Sequence, residues 1–164
     1  MPSEEIVKPR LAGRFPALAD RIVLQRPRRF VVETPAGQFD EIARFAFGDL
    51  GFIYLCTITG LEEGDNLSFL YHLAHPDGTV LTLKRSVPKA APTVASIGPL
   101  FPGGQIYERE LVDMLGARVE GLPPGHRYPL PDGWPDGQYP LRKDWKPEML
   151  DNPTANTTGG THNG

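Results

Sequence analysis

The stretch that decides the fold is LSFLYHLAHPDGTVLTLK, residues 67–84. From Leu67 to Leu73 the larger apolar side chains alternate with other residues, which is the period of a β-strand. Pro76-Asp77-Gly78 then has the chemistry of a tight turn, and residues 79–84 form a second alternating run. Residues 52–59, rich in aromatic and β-branched side chains, supply a strand before this pair. The sequence therefore predicts an antiparallel meander of three strands.

The predicted sheet is apolar on one face only. In its last strand Leu81 and Leu83 share one face and polar residues share the other. Helical spacing predicts a short helix over residues 15–22 and another over residues 38–47, with a strand over residues 30–33 between them. This order of elements predicts an α+β fold: a two-layer sandwich of a mostly antiparallel, mixed sheet with helices on one face.

The second half of the chain combines one clear helix with an irregular arm. Residues 105–115 have helical spacing, Gly116 fits a helix stop, and residues 93–97 could add an edge strand. Prolines and glycines then alternate with tyrosines and tryptophans over residues 121–147. This segment has too many breakers for regular structure and too many aromatic rings for a free linker. We expect it to need a surface to lie against.

A chain of 164 residues fits one domain with some additional tail. We expect an α+β core domain over residues 1–120 and an extended Pro/Gly-rich C-terminal docking arm over residues 121–150. Residues 151–164 contain no large apolar side chain, so we expect a disordered tail there.

Composition excludes several kinds of site. Cys56 is the one cysteine of the chain, which rules out an internal disulfide and an ordinary cysteine-ligated iron–sulfur cluster. Its apolar surroundings predict a buried, inert thiol. The formal net charge of -3 gives no general reason to approach phosphates, so no nucleic-acid partner is expected. Arg26, Arg28 and Arg29 form a small basic cluster, which we interpret as a solvated loop.

Targeting and nucleotide motifs are also missing from the sequence. No run approaches the roughly 20 apolar residues that cross a bilayer, and residues 1–10 do not resemble a signal peptide. We expect a soluble, cytoplasmic chain that touches a membrane only through partners. Glycine-rich dinucleotide loops, Walker loops and nucleophile elbows do not occur, so nucleotide and flavin sites have no support.

Two blocks resemble a known family. Residues 106–116 read IYERELVDMLG, which is similar to the Glu-Arg-Glu-x-x-Asp-x-x-Gly signature of the complex I 30 kDa subunit family. Residues 140–145 read PLRKDW, which resembles the Pro-Leu-Arg-Lys-Asp-aromatic element that closes the same region. Many complex I members carry Gly-His-Pro-x-Leu-Arg-Arg between the blocks. Here residues 121–127 read GLPPGHR, a variation similar to the branch of membrane-bound [NiFe]-hydrogenases.

The resemblance implies a peripheral-arm subunit that performs no chemistry. It would brace the large quinone-site subunit of an NADH:quinone oxidoreductase (complex I)-type electron-transfer complex, or occupy the equivalent place in a membrane-bound [NiFe]-hydrogenase. The implied partners are the large subunit, of the 49 kDa or hydrogenase type, and the small iron–sulfur subunit. NAD(H) or ferredoxin, quinone, iron–sulfur clusters, flavin or [NiFe] would be bound by partners, at the inner face of the cell membrane. No catalytic, cofactor-binding or metal-binding residue is expected in this chain.

The same resemblance implies a set of partner-interface residues in the two blocks: Glu108, Arg109, Glu110, Asp113, Arg142, Lys143, Asp144 and Trp145. Arg109 and Asp113 are i,i+4 neighbours, and such a pair stabilises an exposed helix by only about 0.2–0.5 kcal/mol. Stability is therefore a weak reason for this charge, whereas contact with a partner could set orientation.

Two other functions stay open at this point. A free-standing enzyme could use His126 with the acidic helix, although Glu108 and Glu110 project about 200° apart on a helix and cannot grip one metal ion together. A peptide-binding adaptor could use the edge strand of the meander.

Overall fold

The computed structural model describes residues 3–151. The described chain forms four α-helices: α1 (Ser3–Arg14), α2 (Phe39–Gly48), α3 (Gln105–Leu115) and α4 (Glu148–Asp151). Its seven strands are β1 (Ile22–Arg26), β2 (Arg29–Glu33), β3 (Tyr54–Glu63), β4 (Asn66–Ala74), β5 (Val80–Pro88), β6 (Thr93–Ala95) and β7 (Arg118–Glu120). Short 3-10 helices span Pro16–Leu18 and Pro102–Gly104.

The predicted meander is the centre of the main sheet. Strands β3, β4 and β5 pair in antiparallel order, and Tyr71 of β4 lies between Ile58 of β3 and Leu83 of β5. Strand β2 adds parallel to β5, and β1 pairs antiparallel with β2, giving the order β1-β2-β5-β4-β3. This mixed five-stranded sheet with its helices confirms the predicted α+β fold class.

The alternation along β4 divides the sheet into two faces. The four apolar residues at odd positions from Leu67 to Leu73 are fully buried under the helices. On the opposite face His72 lies between two threonines, with Nε2 at 3.1 Å from Thr59 Oγ1 and Nδ1 at 2.9 Å from Thr82 Oγ1. One face thus packs the core and the other is polar, as the sequence predicted.

The helix predicted over residues 15–22 is wrong. Phe15, Leu18 and Ile22 are all buried, but in different elements: Phe15 follows α1, Leu18 ends a 3-10 helix, and Ile22 opens β1. Their helical spacing therefore arises by chance, because three different segments each place one residue in the same core. The actual helix, α1, lies before them and buries Val7 and Leu11 at i,i+4.

Two smaller expectations also need correction. Cys56 is exposed, because the β3–β4 register shifts between Leu55 and Thr57 and the bulge turns the thiol away from the core. Residues 93–97 do not join the main sheet. Strand β6 instead pairs in parallel with β7 in a separate two-stranded sheet.

The segment after β7 has little regular structure before α4, in line with its composition. Part of the surface that it lies against belongs to this same chain, namely the end of α3 and the β3–β4 side of the sheet. The predicted tail lies outside the described residues except for Asp151, the last residue of α4. Within residues 3–151, no helix has the length and hydropathy needed to span a bilayer.

Candidate docking site

The two sequence blocks meet at the C-terminal end of α3. The last carbonyls of a helix lack partners inside the helix. Here the Leu141 amide donates to Met114 O at 3.0 Å, and Arg142 Nε donates to Leu115 O at 2.8 Å. The second block therefore caps the helix that carries the first, although 27 positions separate Arg142 from Leu115.

Gly116 makes this close approach possible. It ends α3 with a φ of 70°, in the left-handed region that favours glycine. A Cβ at this position would lie 2.5 Å from Cε2 of Tyr139 and 2.9 Å from Nη2 of Arg142. The Arg142 guanidinium carbon in turn lies 4.7 Å from the centroid of the Tyr139 ring, a cation–π distance. Gly116, which the sequence predicted to end the helix, thus also leaves room for the arm to pack against α3.

Glu108 lies inside the chain rather than on its surface. It is fully buried, where Oε1 accepts the Ile97 amide at 2.6 Å and Oε2 accepts the Ser96 hydroxyl at 2.7 Å. Burial raises the pKa of this carboxyl, and the two hydrogen bonds oppose the rise. Glu108 therefore ties the loop after β6 to α3, and it has no exposed surface for direct contact with a partner.

Arg109 and Asp113 hold the first part of the arm. Arg109 Nη2 donates to Pro123 O at 2.7 Å, while buried Asp113 accepts the Leu130 amide at 3.2 Å. The expected link between the two side chains is thus replaced by one bond from each to the arm backbone. Their charges fix the path of the arm across the outer face of α3.

An ion-pair clip holds the end of the arm against the sheet. Lys89 Nζ lies 2.9 Å from Glu62 Oε1 and 3.1 Å from Asp144 Oδ2, and Glu62 Oε2 also accepts the Lys143 amide at 2.9 Å. The bond to Lys89 lowers the pKa of Glu62 and likewise that of Asp144, and the bond to Glu62 raises the pKa of Lys89. We call Lys89, Glu62 and Asp144 the arm clip.

Trp145 closes a small aromatic cluster within the arm. Its Nε1 donates to Oε1 of the buried Gln138 at 2.7 Å, and its ring lies 6.0 Å from that of Trp134. Trp134 Nε1 donates to the Gln138 carbonyl at 2.9 Å. The Trp145 ring is half-buried: part of it packs inside the arm and part of it is exposed to solvent.

Three groups around α3 are left facing outward. Glu110 is half-buried, and neither it nor the exposed Lys143 ammonium makes a hydrogen bond or close ion pair within the described chain, although the Lys143 charge acts on Glu63 at longer range. Leu141, in the second block, is 52% exposed. The face formed by α3 and residues 140–145, which we call the α3–arm face, thus presents an acidic group, a basic group and an apolar side chain.

The acid–base arrangement of the enzyme hypothesis does not form. Glu108 lies on the buried face of α3, whereas the His126 side chain is 96% exposed in the arm, with Nδ1 at 4.0 Å from Asp132 Oδ2. Within residues 3–151, no group of three histidine, cysteine or acidic side chains is placed to hold a metal ion.

Several residues of this site had no signal in the sequence. Lys89, Glu62 and Gln138 contact the arm, but nothing in their local pattern indicates it. The burial of Glu108 had a signal, because Glu108, Leu111 and Leu115 fall at i, i+3 and i+7 on one helix face. That stripe packs inward, and Tyr107 and Met114 flank it.

Comparison with known proteins agrees with the resemblance of the two blocks. The model of the family described as respiratory-chain NADH dehydrogenase, 30 Kd subunit, matches residues 32–149. A subunit of the F(420)H(2) dehydrogenase of Methanosarcina mazei is 30% identical over 141 residues, covering 83% of this chain and 87% of that protein. The beta subunit of the membrane-bound hydrogenase of Pyrococcus furiosus is 39% identical over 93 residues, covering 53% of this chain and 54% of that protein.

Two solved structures share the fold. A chain of the membrane-bound sulfane sulfur reductase, an archaeal respiratory membrane complex, superposes with a TM-score of 0.78 at 22% identity, covering 96% of this chain and 95% of its own. The trypsin-resistant fragment of Nqo5 superposes with a TM-score of 0.61 at 23% identity, covering 76% of this chain and all of that fragment.

The family match takes in the meander, α3 and the second block, so the resemblance is confirmed over most of the chain. The protein belongs to the respiratory-chain NADH dehydrogenase 30 kDa subunit family.

Proposed function

We propose that this subunit braces the large subunit of a complex I-type electron-transfer complex and performs no redox chemistry itself. The observation that carries the proposal is that the two family blocks contact each other on the α3–arm face. Some side chains of this face make no bond within the described chain and point outward. The side chains of Glu110 and Lys143 make no hydrogen bond or close ion pair within the described chain, and Leu141 is exposed; all three belong to this face. Opposite charges beside an apolar side chain suit the orientation of one specific partner.

The internal bonds of the site support a rigid docking element. Glu108, Arg109 and Asp113 hold the adjoining loop and arm, and Arg142 caps α3. A surface ordered in advance loses less entropy on binding than a free arm would. Of the eight residues proposed for the interface, Glu108 acts indirectly, and Arg109, Glu110, Lys143, Asp144 and Trp145 offer surface for direct contact.

The redox groups would belong to partners. We propose the large subunit, of the 49 kDa or hydrogenase type, and the small iron–sulfur subunit as neighbours, with quinone or [NiFe] in the large subunit. The names of the relatives, subunits of an F(420)H(2) dehydrogenase and of a membrane-bound hydrogenase, favour such an assembly. The electron donor would bind to other subunits. The complex would lie at the inner face of the cell membrane, with this chain held there by its partners.

The test is affinity purification of the tagged chain from cells that make the whole complex. We expect the large subunit and the small iron–sulfur subunit to co-purify at constant stoichiometry. Arg109→Glu and Lys143→Glu should lower their recovery, whereas Lys8→Glu, at an exposed lysine of α1, should not. A chain that elutes alone with turnover of its own would contradict the proposal, and so would recovery of diverse peptides in place of one complex.

A further inference from the structure

An apolar groove lies at the N-terminal end of α3. It has a volume of about 490 Å³, and its walls include Phe47, Ile53, Tyr54, Leu100 and Tyr107. None of its lining residues is charged. The cavity at the other end of α3 differs, because Asp113, Arg118, Arg127 and Asp136 line it.

Exposed apolar side chains gather around this helix. Ile53 is 44% exposed and Tyr54 55%, and Ile106, beside Tyr107 on α3, is 45% exposed. These are three of the eight large hydrophobic residues that are exposed in the described chain; a fourth, Leu141 at 52%, lies at the other end of α3. Clustering of this kind marks a surface that is covered in an assembly, whereas single exposed apolar residues need no explanation.

The groove and the second block lie at opposite ends of one helix. A Cβ at Gly104 would lie 2.8 Å from Leu55 Cδ2, and a Cβ at Gly60 would lie 3.0 Å from Leu111 Cδ2. Helix α3 therefore runs along edge strand β3, from the groove to the arm. Its 11 residues span about 16 Å, so one partner surface of ordinary size, burying about 800 Å² on each side, can cover both ends.

A charge one helical turn from the groove indicates the chemistry of its occupant. Glu110 follows Tyr107, which lines the groove, by three positions on α3 and makes no ion pair in the described chain. The occupant should therefore combine apolar side chains with a neighbouring lysine or arginine. Residues 151–164 of this chain cannot fill the groove, since they contain no large apolar side chain.

We infer that the groove receives apolar side chains of the large subunit, next to a basic residue that pairs with Glu110. The inference rests on the proposed function and adds a second contact region to the α3–arm face. The second block holds the partner at the C-terminal end of α3, and the groove holds it at the N-terminal end. Burial of apolar groups at two separated points fixes orientation better than either point alone.

The test compares two matched changes in the tagged chain. Ile53→Asp places a charge in the groove, and Val23→Asp places the same charge at a 54% exposed valine of β1, the opposite edge strand. Because burying an unpaired carboxylate is costly, we expect Ile53→Asp to reduce affinity for the large subunit at least about tenfold. Both variants should melt close to the unmodified chain, since both sites are exposed.

If the unmodified chain co-purifies with the large subunit, and Ile53→Asp and Val23→Asp retain it equally well, the inference is overturned. The proposed function would then remain intact. Failure of the unmodified chain to bind any large subunit would instead overturn the proposed function. A photo-reactive phenylalanine at Tyr54 provides an independent measurement. Cross-links to the large subunit support the inference, and cross-links only to a second copy of this chain contradict it.

Discussion

Glu108 is the residue whose role changes most between sequence and structure. Its place in the family signature suggested a surface contact, but its carboxylate binds the Ile97 amide and the Ser96 hydroxyl inside the chain. The charge is costly there, as the raised pKa indicates. We propose that this residue of the family motif acts on the docking surface only indirectly, from inside the chain.

Replacement of Glu108 should separate its hydrogen bonds from its charge. Glu108→Ala leaves the buried Ile97 amide without an acceptor, so we expect a loss of about 1–3 kcal/mol in the free energy of unfolding, with a smaller loss from the half-buried Ser96 hydroxyl. Glu108→Gln keeps an acceptor and removes the charge. Chemical denaturation of both variants in the isolated subunit measures the difference.

The pH dependence of Glu108→Gln has a defined sign. A carboxyl whose folded pKa lies above its unfolded value, about 4.3 for glutamate, stabilises the fold at low pH, and this stabilisation is lost as pH rises through the folded pKa. The stability of Glu108→Gln relative to the unmodified chain should therefore improve from pH 4 to pH 8. A difference that does not change with pH would contradict the assignment.

At the scale of elements, the arm clip determines where the arm ends. Lys89 follows β5, Glu62 lies near the end of β3 and Asp144 lies in the second block, so three distant segments converge. The two tryptophans of the protein, Trp134 and Trp145, both lie in the arm. Their fluorescence therefore reports the arm without interference from the core.

Lys89→Met should loosen the arm at neutral pH while far-UV circular dichroism stays unchanged. We expect the tryptophan emission to shift to longer wavelength, because Glu62 and Asp144 lose their shared cation. Since the folded pKa values of both carboxyls are lowered, the clip should hold above about pH 4 in the unmodified chain and weaken as pH falls. Emission equal to that of the unmodified protein at pH 7 would show that the clip does not position the arm.

Truncation after Tyr128 tests whether the arm is an appendage of the core. Every buried hydrophobic residue of the described chain lies between Val7 and Ala117, so the truncated chain keeps its core. We expect cooperative thermal unfolding to persist and recovery of the large subunit to be lost. An unfolded truncated chain would instead mean that the arm is required for the fold.

Elements with a strong local pattern were predictable, and those defined by distant contacts were not. Helix α3 was predicted over its observed residues, because helical spacing ends at a glycine that accepts a positive φ. The meander followed from alternation and turn chemistry. By contrast, residues 15–22 have helical spacing only because three successive segments each bury one residue. The bulge at Cys56 changes which side chains of β3 face the core, and no local sequence pattern indicates it.

At the scale of the whole molecule, we propose that the sheet and helices support one docking face, the α3–arm face. The bonds that hold the end of the arm to the core run between residues far apart in sequence, such as Lys143 and Glu62, so no local pattern could predict them. The partner itself lies outside the chain. From the two family blocks we propose an interface, and we place it on the α3–arm face and the adjoining groove.

Amide hydrogen exchange, compared between the isolated subunit and the purified complex, tests the location of that interface most directly. In the isolated chain the Leu141 and Trp145 amides should already be partly protected by their bonds to Met114 and Arg142. In the complex we predict added protection over residues 53–54, 105–110 and 129–145, with β1 unchanged. Added protection on β1, or none on α3 and the arm, would contradict the account.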